Sequence, residues 1–359
     1  MHLHPDPLLT ELRTALRAGL SGIGAGTALH GPPVTDGGPG PTRQLLDALG
    51  ADAFERPVAD GGLGLGVTAG VAVSEELGLA AQGNAYRARA WAVELGSSPD
   101  AVPADPGAVP GAVPGGGRVE AVAVPGGWEL TGTVTVDTVD APAFLVAAQT
   151  GRGPVVLEVE RTAPGLGTDD RCLPPVVRLD RSFVAAGAVV AEPGGTAEGA
   201  LARARLRQAG YLLGIAAGAH RVAVAYTGHR AQFGSRLRDL PPVAFPLARA
   251  LVRLRATRAA VYRGAWLVDT GAEHEGGTAP AAALATAAET AREVVRVGMQ
   301  SCGVRAMTAE LALQRYHRLA AVEAHRYGDP AALWRLVGAE RLREAREARR
   351  RSGTGASPA

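Results

Sequence analysis

The sequence predicts a mainly α-helical protein with a small β-domain between two helical regions. Residues 197–228 form an uninterrupted run with helical apolar periodicity, and a second such run extends from Phe245 to Asp269. Between residues 118 and 193, short runs alternate apolar and polar residues and are bounded by Gly and Pro, which is typical of antiparallel strands. A chain of 359 residues is long for one hydrophobic core, so two or three domains are expected.

The N-terminal region, residues 1–96, is predicted to be helical. A first helix is expected over Leu8–Leu20, and the Gly- and Pro-rich residues 31–41 cannot continue it. Helical periodicity resumes over residues 42–96 and is interrupted at the Gly-rich turn Gly61–Gly66. An Ala-Val-Pro repeat then predicts a flexible or polyproline linker over residues 97–117.

The rest of the chain divides into a β-domain at residues 118–195, a C-terminal helical bundle at 196–351 and a disordered tail at 352–359. The bundle helices carry apolar stripes wide enough to bury more than one face, so at least a dimer is expected. Tyr262 and Trp266 are four residues apart and are expected in the core. The pair Glu75–Glu76 is expected on a solvated helix face.

Composition excludes several classes of function. A net charge of +2 gives no strong field for nucleic acid or a membrane surface. All 37 basic residues are Arg, and this excludes Schiff-base chemistry and a phosphate-loop lysine. Cys172 and Cys302 fit neither a disulfide framework nor a metal-ligand spacing, so no metal is predicted. The chain shows no signal peptide and no apolar run near 20 residues, which predicts a cytoplasmic protein.

The most informative short motif is the Arg-x-x-Phe-Gly element that follows the first long helix. Arg230 offers a planar fork of donors to a pyrophosphate, and Phe233 offers an aromatic face to an adenine or a packing contact. Gly234 is expected to adopt a positive φ and end the helix. These residues suit an anionic dinucleotide, although an Arg at a solvated helix end with a buried Phe and a capping Gly explains them equally well.

Further motifs, in a fixed order, carry a resemblance to a known family. They are the Gly-rich turn Asp60–Gly66, the helix segment Val73–Gly78, the strand segments Gly127–Gly132 and Asp140–Ala147, and the C-terminal segments Gln300–Gly303 and Arg315–Arg318. Together with the Arg-x-x-Phe-Gly element, they resemble the acyl-CoA dehydrogenases over roughly residues 42–345. The resemblance implies an N-terminal helical domain, a reduced antiparallel β-domain and a C-terminal helical bundle.

The same resemblance implies chemistry and partners. Members desaturate an acyl thioester between its α and β carbons with FAD, and the adenosine end of one protomer's FAD is held by the neighbouring protomer's bundle. The implied cofactor is therefore FAD, and the implied substrate is acyl-CoA or an acyl-carrier thioester. The residues that match the family's FAD contacts in this chain are Arg230, Gln232, Phe233, Gln300 and Gly303.

The catalytic base is where the chain departs from the family. Its usual base is a Glu, and Tyr327 occupies that position here. Some members carry the Glu on the long helix before the Arg-x-x-Phe-Gly element, and Ala204 occupies that alternative position. A tyrosine hydroxyl is a poor proton acceptor at neutral pH, and alanine cannot accept a proton. Glu323 and Asp329 lie near Tyr327 in sequence and are possible substitutes.

Contacts to the flavin ring are also eroded. The family's Thr-Glu-Pro-x-x-Gly-Ser-Asp segment is absent from the linker, and Val134–Thr138 stands in place of the segment that covers the isoalloxazine. The chain thus resembles the base-lacking subunit of an actinobacterial heteromeric enzyme, acting with a partner that supplies the Glu. The alternatives are a redox-silent scaffolding subunit and non-redox chemistry with Tyr327 as general acid. Homomeric and heteromeric assembly both stay open.

Overall fold

The computed structural model describes residues 7–23, 40–104, 119–172, 174–192, 196–272 and 277–353. Among these residues, the N-terminal region contains the helices α1 (Pro7–Gly22), α2 (Pro41–Ala48), α3 (Gly66–Leu79) and α4 (Ala85–Glu94). Five form the C-terminal bundle: α5 (Thr196–His229), α6 (Pro241–Asp269), α7 (Ala279–Cys302), α8 (Leu313–Glu323) and α9 (Pro330–Gly353). The predicted mainly α fold with a small β-domain is confirmed.

The β-domain is one mixed sheet. Its strands are β1 (Val102–Ala104), β2 (Val119–Val124), β3 (Gly127–Thr135), β4 (Ala143–Thr150), β5 (Gly153–Glu160), β6 (Leu166–Asp169), β7 (Val176–Ala185) and β8 (Val189–Ala191). They lie in the order β6-β7-β3-β2-β4-β5-β8, and β1 pairs with β4. Most pairings are antiparallel, as expected, but β1 and β2 both run parallel to β4.

The predicted linker is partly structured. Residues 105–118 lie outside the described residues, but Val102–Ala104 is a buried strand rather than part of a flexible segment. It pairs with Phe144–Val146 of β4 within the sheet, and its three apolar residues are buried there despite the Pro at its centre. The predicted tail lies outside the described residues from residue 354 onward, and the domain boundaries stay a prediction.

Helix α5 is the centre of the molecule and packs closely on α3. A Cβ atom at Gly214 of α5 would lie 2.1 Å from the carbonyl oxygen of Glu75, and one at Gly78 of α3 would lie 2.2 Å from that of Tyr211. No larger side chain fits at either position, so glycine allows the two helix backbones to touch. This contact fixes the N-terminal region against the bundle.

We expect Gly214→Ala to destabilise the protein by about 1–3 kcal/mol, because the added methyl group forces the two backbones apart. Gly338→Ala is the matched control, since Gly338 lies in α9 and a Cβ atom there would meet no other atom within 4 Å. Removing a glycine there should raise stability by about 0.5–1 kcal/mol. Equal Tm values for the two variants in thermal melts would contradict the close contact.

Three helix ends lie together at one end of the bundle. Leu206 of α5 packs on Gly264 of α6, and Ala223 of α5 packs on Gly298 of α7. Thr257 of α6 is hydrogen-bonded to Thr290 of α7 through their hydroxyls at 2.8 Å. Helix α6 is therefore antiparallel to both neighbours, and the C-terminal ends of α5 and α7 lie beside the N-terminal end of α6.

Two side-chain expectations for the helices are wrong. Glu75 and Glu76 are buried, because Arg13 and Arg17 of α1 and Arg258 of α6 form ion pairs with them. This network ties α1 and α6 to α3. Trp266 is 40% exposed rather than in the core, since it lies on the face of α6 that turns away from the bundle.

Candidate functional site

The Arg-x-x-Phe-Gly element forms a short β-hairpin. Helix α5 ends at His229, and β9 (Ala231–Gln232) pairs antiparallel with β10 (Ser235–Arg236). Phe233 and Gly234 form the two-residue turn between them, with φ angles of 53° and 76°. A turn of this type needs positive φ at both central residues. The positive φ of Gly234 thus serves a hairpin, and the expectation that it ends the helix is wrong.

The hairpin presents its side chains to solvent. Phe233 is 91% exposed, and Arg230 and Gln232 are exposed too. The carbonyl oxygen of Arg230 accepts a hydrogen bond from the backbone N–H of Leu237 at 2.8 Å, which closes the hairpin base. A positive φ is costly for a residue with a bulky side chain. An exposed Phe held in this conformation indicates a residue placed for contact with another molecule.

The other two predicted cofactor residues lie at the same end of the bundle. Gln300 is in the last turn of α7 and Gly303 follows that helix with a φ of 62°, and both are exposed. Because α5 and α7 run in the same direction, their C-terminal ends bring these residues to the side of the hairpin. The structure therefore gathers all five predicted residues at one end of the bundle, and none of them faces the interior.

Tyr327, at the predicted position of the base, is buried instead. Tyr327 is 9% exposed, and its ring packs edge-on against Trp91 at a centroid distance of 5.8 Å. The guanidinium carbon of Arg87 lies 5.9 Å from the Tyr327 ring centroid. Ala204 on α5 is fully buried, and the neighbouring Arg205 donates a hydrogen bond to the Tyr327 carbonyl oxygen at 3.2 Å. Both candidate base positions thus lie in the same buried region.

Four charged side chains fill that region, and we call them the Arg87 network: Arg87 of α4, Asp137 after β3, Glu323 of α8 and Arg326. Arg87 donates to Glu323 at 2.6 Å and to Asp137 at 3.1 Å. Arg326 donates to the same two carboxylates, at 3.1 Å to Glu323 and 2.9 Å to Asp137. Two guanidiniums and two carboxylates make the network neutral overall.

The network fixes the charge of Glu323. Burial raises the pKa of its carboxyl group, but Arg326 and Arg87 outweigh that effect and hold the pKa at about 2. The side-chain amide of Gln208 also donates to the Glu323 carbonyl oxygen at 2.8 Å. A carboxylate held this strongly by two cations is a weak proton acceptor at neutral pH.

Asp329 has a different structural role. One of its oxygens accepts the backbone N–H groups of Ala331 and Ala332 at 2.9 and 3.2 Å, so it caps α9. Its other oxygen lies 3.2 Å from Nδ1 of His325. Asp329 is half-buried at the surface and is committed to these contacts.

Comparison with known proteins finds a match that includes the bundle and its hairpin. A family model described as the acyl-CoA dehydrogenase C-terminal domain matches residues 195–341, which include all five bundle helices except the last turns of α9. Over this region the chain is similar to the acyl-CoA dehydrogenases. The resemblance inferred from the motifs is confirmed.

Curated relatives cover part of the chain. The probable acyl-CoA dehydrogenase FadE25 of Mycobacterium tuberculosis is 32% identical over 133 residues, which are 36% of this chain and 34% of the relative. The benzylmalonyl-CoA dehydrogenase of Aromatoleum aromaticum is 30% identical over 215 residues, 55% of this chain and 56% of that enzyme. The chain thus spans between a third and just over half of the length of these relatives.

The fold of the whole chain is that of the acyl-CoA dehydrogenases. The ChsE4-ChsE5 complex from Mycobacterium tuberculosis is similar with a TM-score of 0.79 at 21% identity, and 95% of this chain and 99% of that chain are covered. At this level of identity the similarity concerns the fold, which is retained although the sequence has diverged.

The two halves of the family's FAD site differ in how well they fit the cofactor. At the bundle end, exposed donors and an exposed aromatic ring fit a pyrophosphate and an adenine. At the buried end, the Arg87 network fills the surroundings of Tyr327, and Asp137 of the segment Val134–Thr138 is one of its members. This filled region does not fit a flavin ring and a thioester, because four paired charges already satisfy one another there.

Sequence reasoning missed most of the Arg87 network. Arg87, Asp137 and Arg326 come from three separate elements, and charged residues are rarely buried unless they are paired. The available signal was that the family motifs are not present at Val134–Thr138 and at Tyr327. This indicated that flavin and base contacts were lost, but it did not indicate which side chains fill the region instead.

An open cavity of about 610 Å³ lies between α4, α5 and the loop before α3. Its walls include the ion pairs of Arg207 with Glu55 and Glu94. None of the predicted cofactor or base residues lines it. Among the described residues, no group of three or more His, Cys, Asp or Glu could hold a metal ion, and no helix is long and apolar enough to cross a membrane.

Proposed function

We propose that this chain is the supporting subunit of a heteromeric acyl-CoA dehydrogenase that desaturates an acyl thioester. Its hairpin would contact the adenosine and pyrophosphate end of an FAD whose flavin ring lies in a partner subunit. The partner would supply the catalytic Glu that takes the α-proton, and bound FAD supplies the hydride acceptor. The proposal covers acyl-CoA and acyl-carrier thioesters alike and places the complex in the cytoplasm.

The contrast between the two half-sites is the observation that carries the proposal. All five predicted FAD contacts lie exposed at one end of the bundle, whereas the Arg87 network occupies the base position. Exposed contacts of this kind can serve a cofactor held by another subunit. Because paired charges surround the predicted base position, the flavin ring is proposed to lie in the partner subunit. The structurally similar ChsE4-ChsE5 structure is a complex, which supports assembly of this fold with a second chain.

Within the hairpin, each side chain has a separate part in the proposed contact. The side chain of Arg230 forms no ion pair with any other described residue, so its donors are available for two phosphate oxygens. Phe233 can stack on the adenine, and the Gln232 and Gln300 amides can donate or accept hydrogen bonds at the ribose or phosphates. Gly303 leaves room for the cofactor close to the backbone.

Loss of Arg230 tests the proposal. In the complex with a Glu-bearing partner subunit, we expect Arg230→Ala to weaken FAD binding by about 1.5–3 kcal/mol, because a charge-assisted hydrogen bond is lost. Fluorescence titration of released FAD measures the change. Arg152→Ala, at an exposed position on the β4–β5 turn, is the control and should leave FAD affinity unaltered. Unchanged affinity in Arg230→Ala would remove the hairpin from the site.

A scaffolding subunit without any cofactor contact is the second candidate. The Arg87 network favours it, because a filled flavin region is compatible with a purely structural role. FAD affinity that responds to Arg230→Ala excludes this candidate, since a scaffold would leave the cofactor untouched.

A further inference from the structure

Helix α6 packs against α5 and α7 with one face, and Arg258 and Tyr262 on its flank contact Glu75 of α3. That face carries residues at alternating intervals of three and four, which are buried against α5 and α7: Leu247, Ala250, Leu254, Thr257, Val261 and Gly264. Intervals of this kind place side chains along one side of a helix. The stripe accounts for the contacts of α6 within the bundle and leaves its opposite side uncovered by the described residues.

The opposite side of α6 carries a second stripe with the same periodicity. Its members follow one another at intervals of four and three and are all exposed: Phe245, Arg249, Val252, Ala256, Ala259, Arg263 and Trp266. Phe245 is 63% exposed and Val252 is 70% exposed. The stripe runs for about 30 Å and has the 3.5-residue repeat by which one helix packs along another. We call it the outer stripe.

The outer stripe combines apolar and small residues with two positive charges. Arg249 and Arg263 are two heptads apart, about 21 Å along the helix, and neither forms an ion pair with another described residue. Arg253 and Arg258 of the same helix are paired with Glu289 and Glu75. The stripe contains no acidic residue, so both of its guanidiniums are uncompensated within the described part of the chain.

This charge pattern opposes pairing of α6 with a second copy of itself. In an antiparallel pair centred near Ala256, Arg249 of one copy would face Arg263 of the other, and this would occur twice. Like charges brought together at a desolvated interface are strongly unfavourable. A helix with acidic residues at both positions would instead form two ion pairs and cover the apolar residues between them.

We propose that the outer stripe binds a helix of a non-identical subunit that carries carboxylates two heptads apart, with small or apolar residues between them. The outer stripe starts at Phe245, in the second turn of α6. It therefore begins at the end of the bundle that carries the hairpin. The inference rests on the proposed function for the identity of the partner, and it adds the chemistry by which that partner is selected over a second copy.

Single charge reversals in the outer stripe test the inference. The probe is a Glu-bearing acyl-CoA dehydrogenase subunit encoded in the same genome, and its affinity for this chain is measured by calorimetry. We expect Arg249→Glu and Arg263→Glu each to weaken binding about tenfold or more, because a like charge replaces an ion pair. Arg152→Glu makes the same charge change on the β4–β5 turn and should have no effect. Circular dichroism verifies that each exposed-site variant stays folded.

Several outcomes overturn the inference. Unaltered affinity in both reversals would show that the outer stripe is not the interface, and absence of any complex would refute it together with the proposed function. A wild-type homodimer that Arg249→Glu strengthens would show that the stripe pairs with a second copy. Bound FAD is measured in the same samples. A complex that depends on both Arg residues but holds no FAD would refute only the proposed function, and an FAD-bearing complex indifferent to the reversals would refute only the inference.

Discussion

Purified without a partner and supplied with FAD, the chain is expected to show negligible acyl-CoA-dependent reduction of an electron acceptor. Neither base position holds a carboxylate, since they are occupied by Tyr327 and Ala204. A correctly placed general base contributes about 10²–10⁴-fold to such a rate. The loss is expected to exceed that range, because the Arg87 network also fills the surroundings of Tyr327, the predicted base position.

Addition of a Glu-bearing partner subunit should restore turnover. Tyr327→Phe in this chain should leave that activity nearly intact, because the Tyr327 ring is buried against Trp91 and a tyrosine hydroxyl is a poor proton acceptor at neutral pH. An acceptor-dye assay with saturated acyl-CoA measures both states. Ordinary turnover by the lone chain, abolished by Glu323→Gln or Asp329→Asn, would establish a self-sufficient enzyme and a different alignment of the base.

Arg87→Met is expected to destabilise the protein by about 3–5 kcal/mol, the largest stability change predicted for this chain. The substitution removes one cation from a buried four-charge network and leaves Glu323 and Asp137 to share Arg326. Breaking a buried ion pair from one side leaves an uncompensated charge away from water. Denaturant unfolding followed by circular dichroism measures the effect.

Arg89→Met is the matched control on the same helix. Arg89 pairs with Asp47 and Asp52 near the surface, where an ion pair contributes about 0–1 kcal/mol. Similar losses in the two variants would contradict the picture of a buried network. The comparison separates the effect of burial from the loss of an arginine side chain.

The pH dependence of stability is a second test of the Arg87 network. The pKa of Glu323 in the folded chain is about 2, below the value of about 4.3 expected when the chain is unfolded. Its contribution is therefore fully present above about pH 5 and is lost as the pH falls toward 2. Glu323→Gln should remove this part of the acid sensitivity, so its stability should change less between pH 5 and 2 than that of the wild type.

The long helices were predictable, and the five candidate cofactor residues could be selected, because their signals are local; the hairpin itself was not predicted. Apolar periodicity placed α5 and α6 within a few residues of their observed ends, apart from the earlier start of α6 at Pro241. The order of short motifs predicted the family and selected Arg230, Gln232, Phe233, Gln300 and Gly303. Each of these predictions depends on residue types at fixed spacing in one segment, which a sequence records directly.

The Arg87 network, the burial of Glu75 and Glu76, and the exposure of Trp266 were decided by tertiary structure. Arg87 and Glu323 are 236 positions apart, and Arg13 lies 62 positions before Glu75. A buried charged side chain is tolerated only when a partner lies within hydrogen-bonding distance. When that partner is distant in sequence, no local pattern predicts the pair.

The sequence by itself determined the resemblance to the acyl-CoA dehydrogenases, the long helices, and the absence of a carboxylate at the two predicted base positions, because each follows from residue types along the chain. Only the tertiary structure decided that the five predicted cofactor residues face outward at one end of the bundle while paired charges surround the predicted base position. The direction of a side chain, inward or outward, is set by which faces of α5, α6 and α7 pack together. That packing comes from the whole bundle, and no single segment contains it.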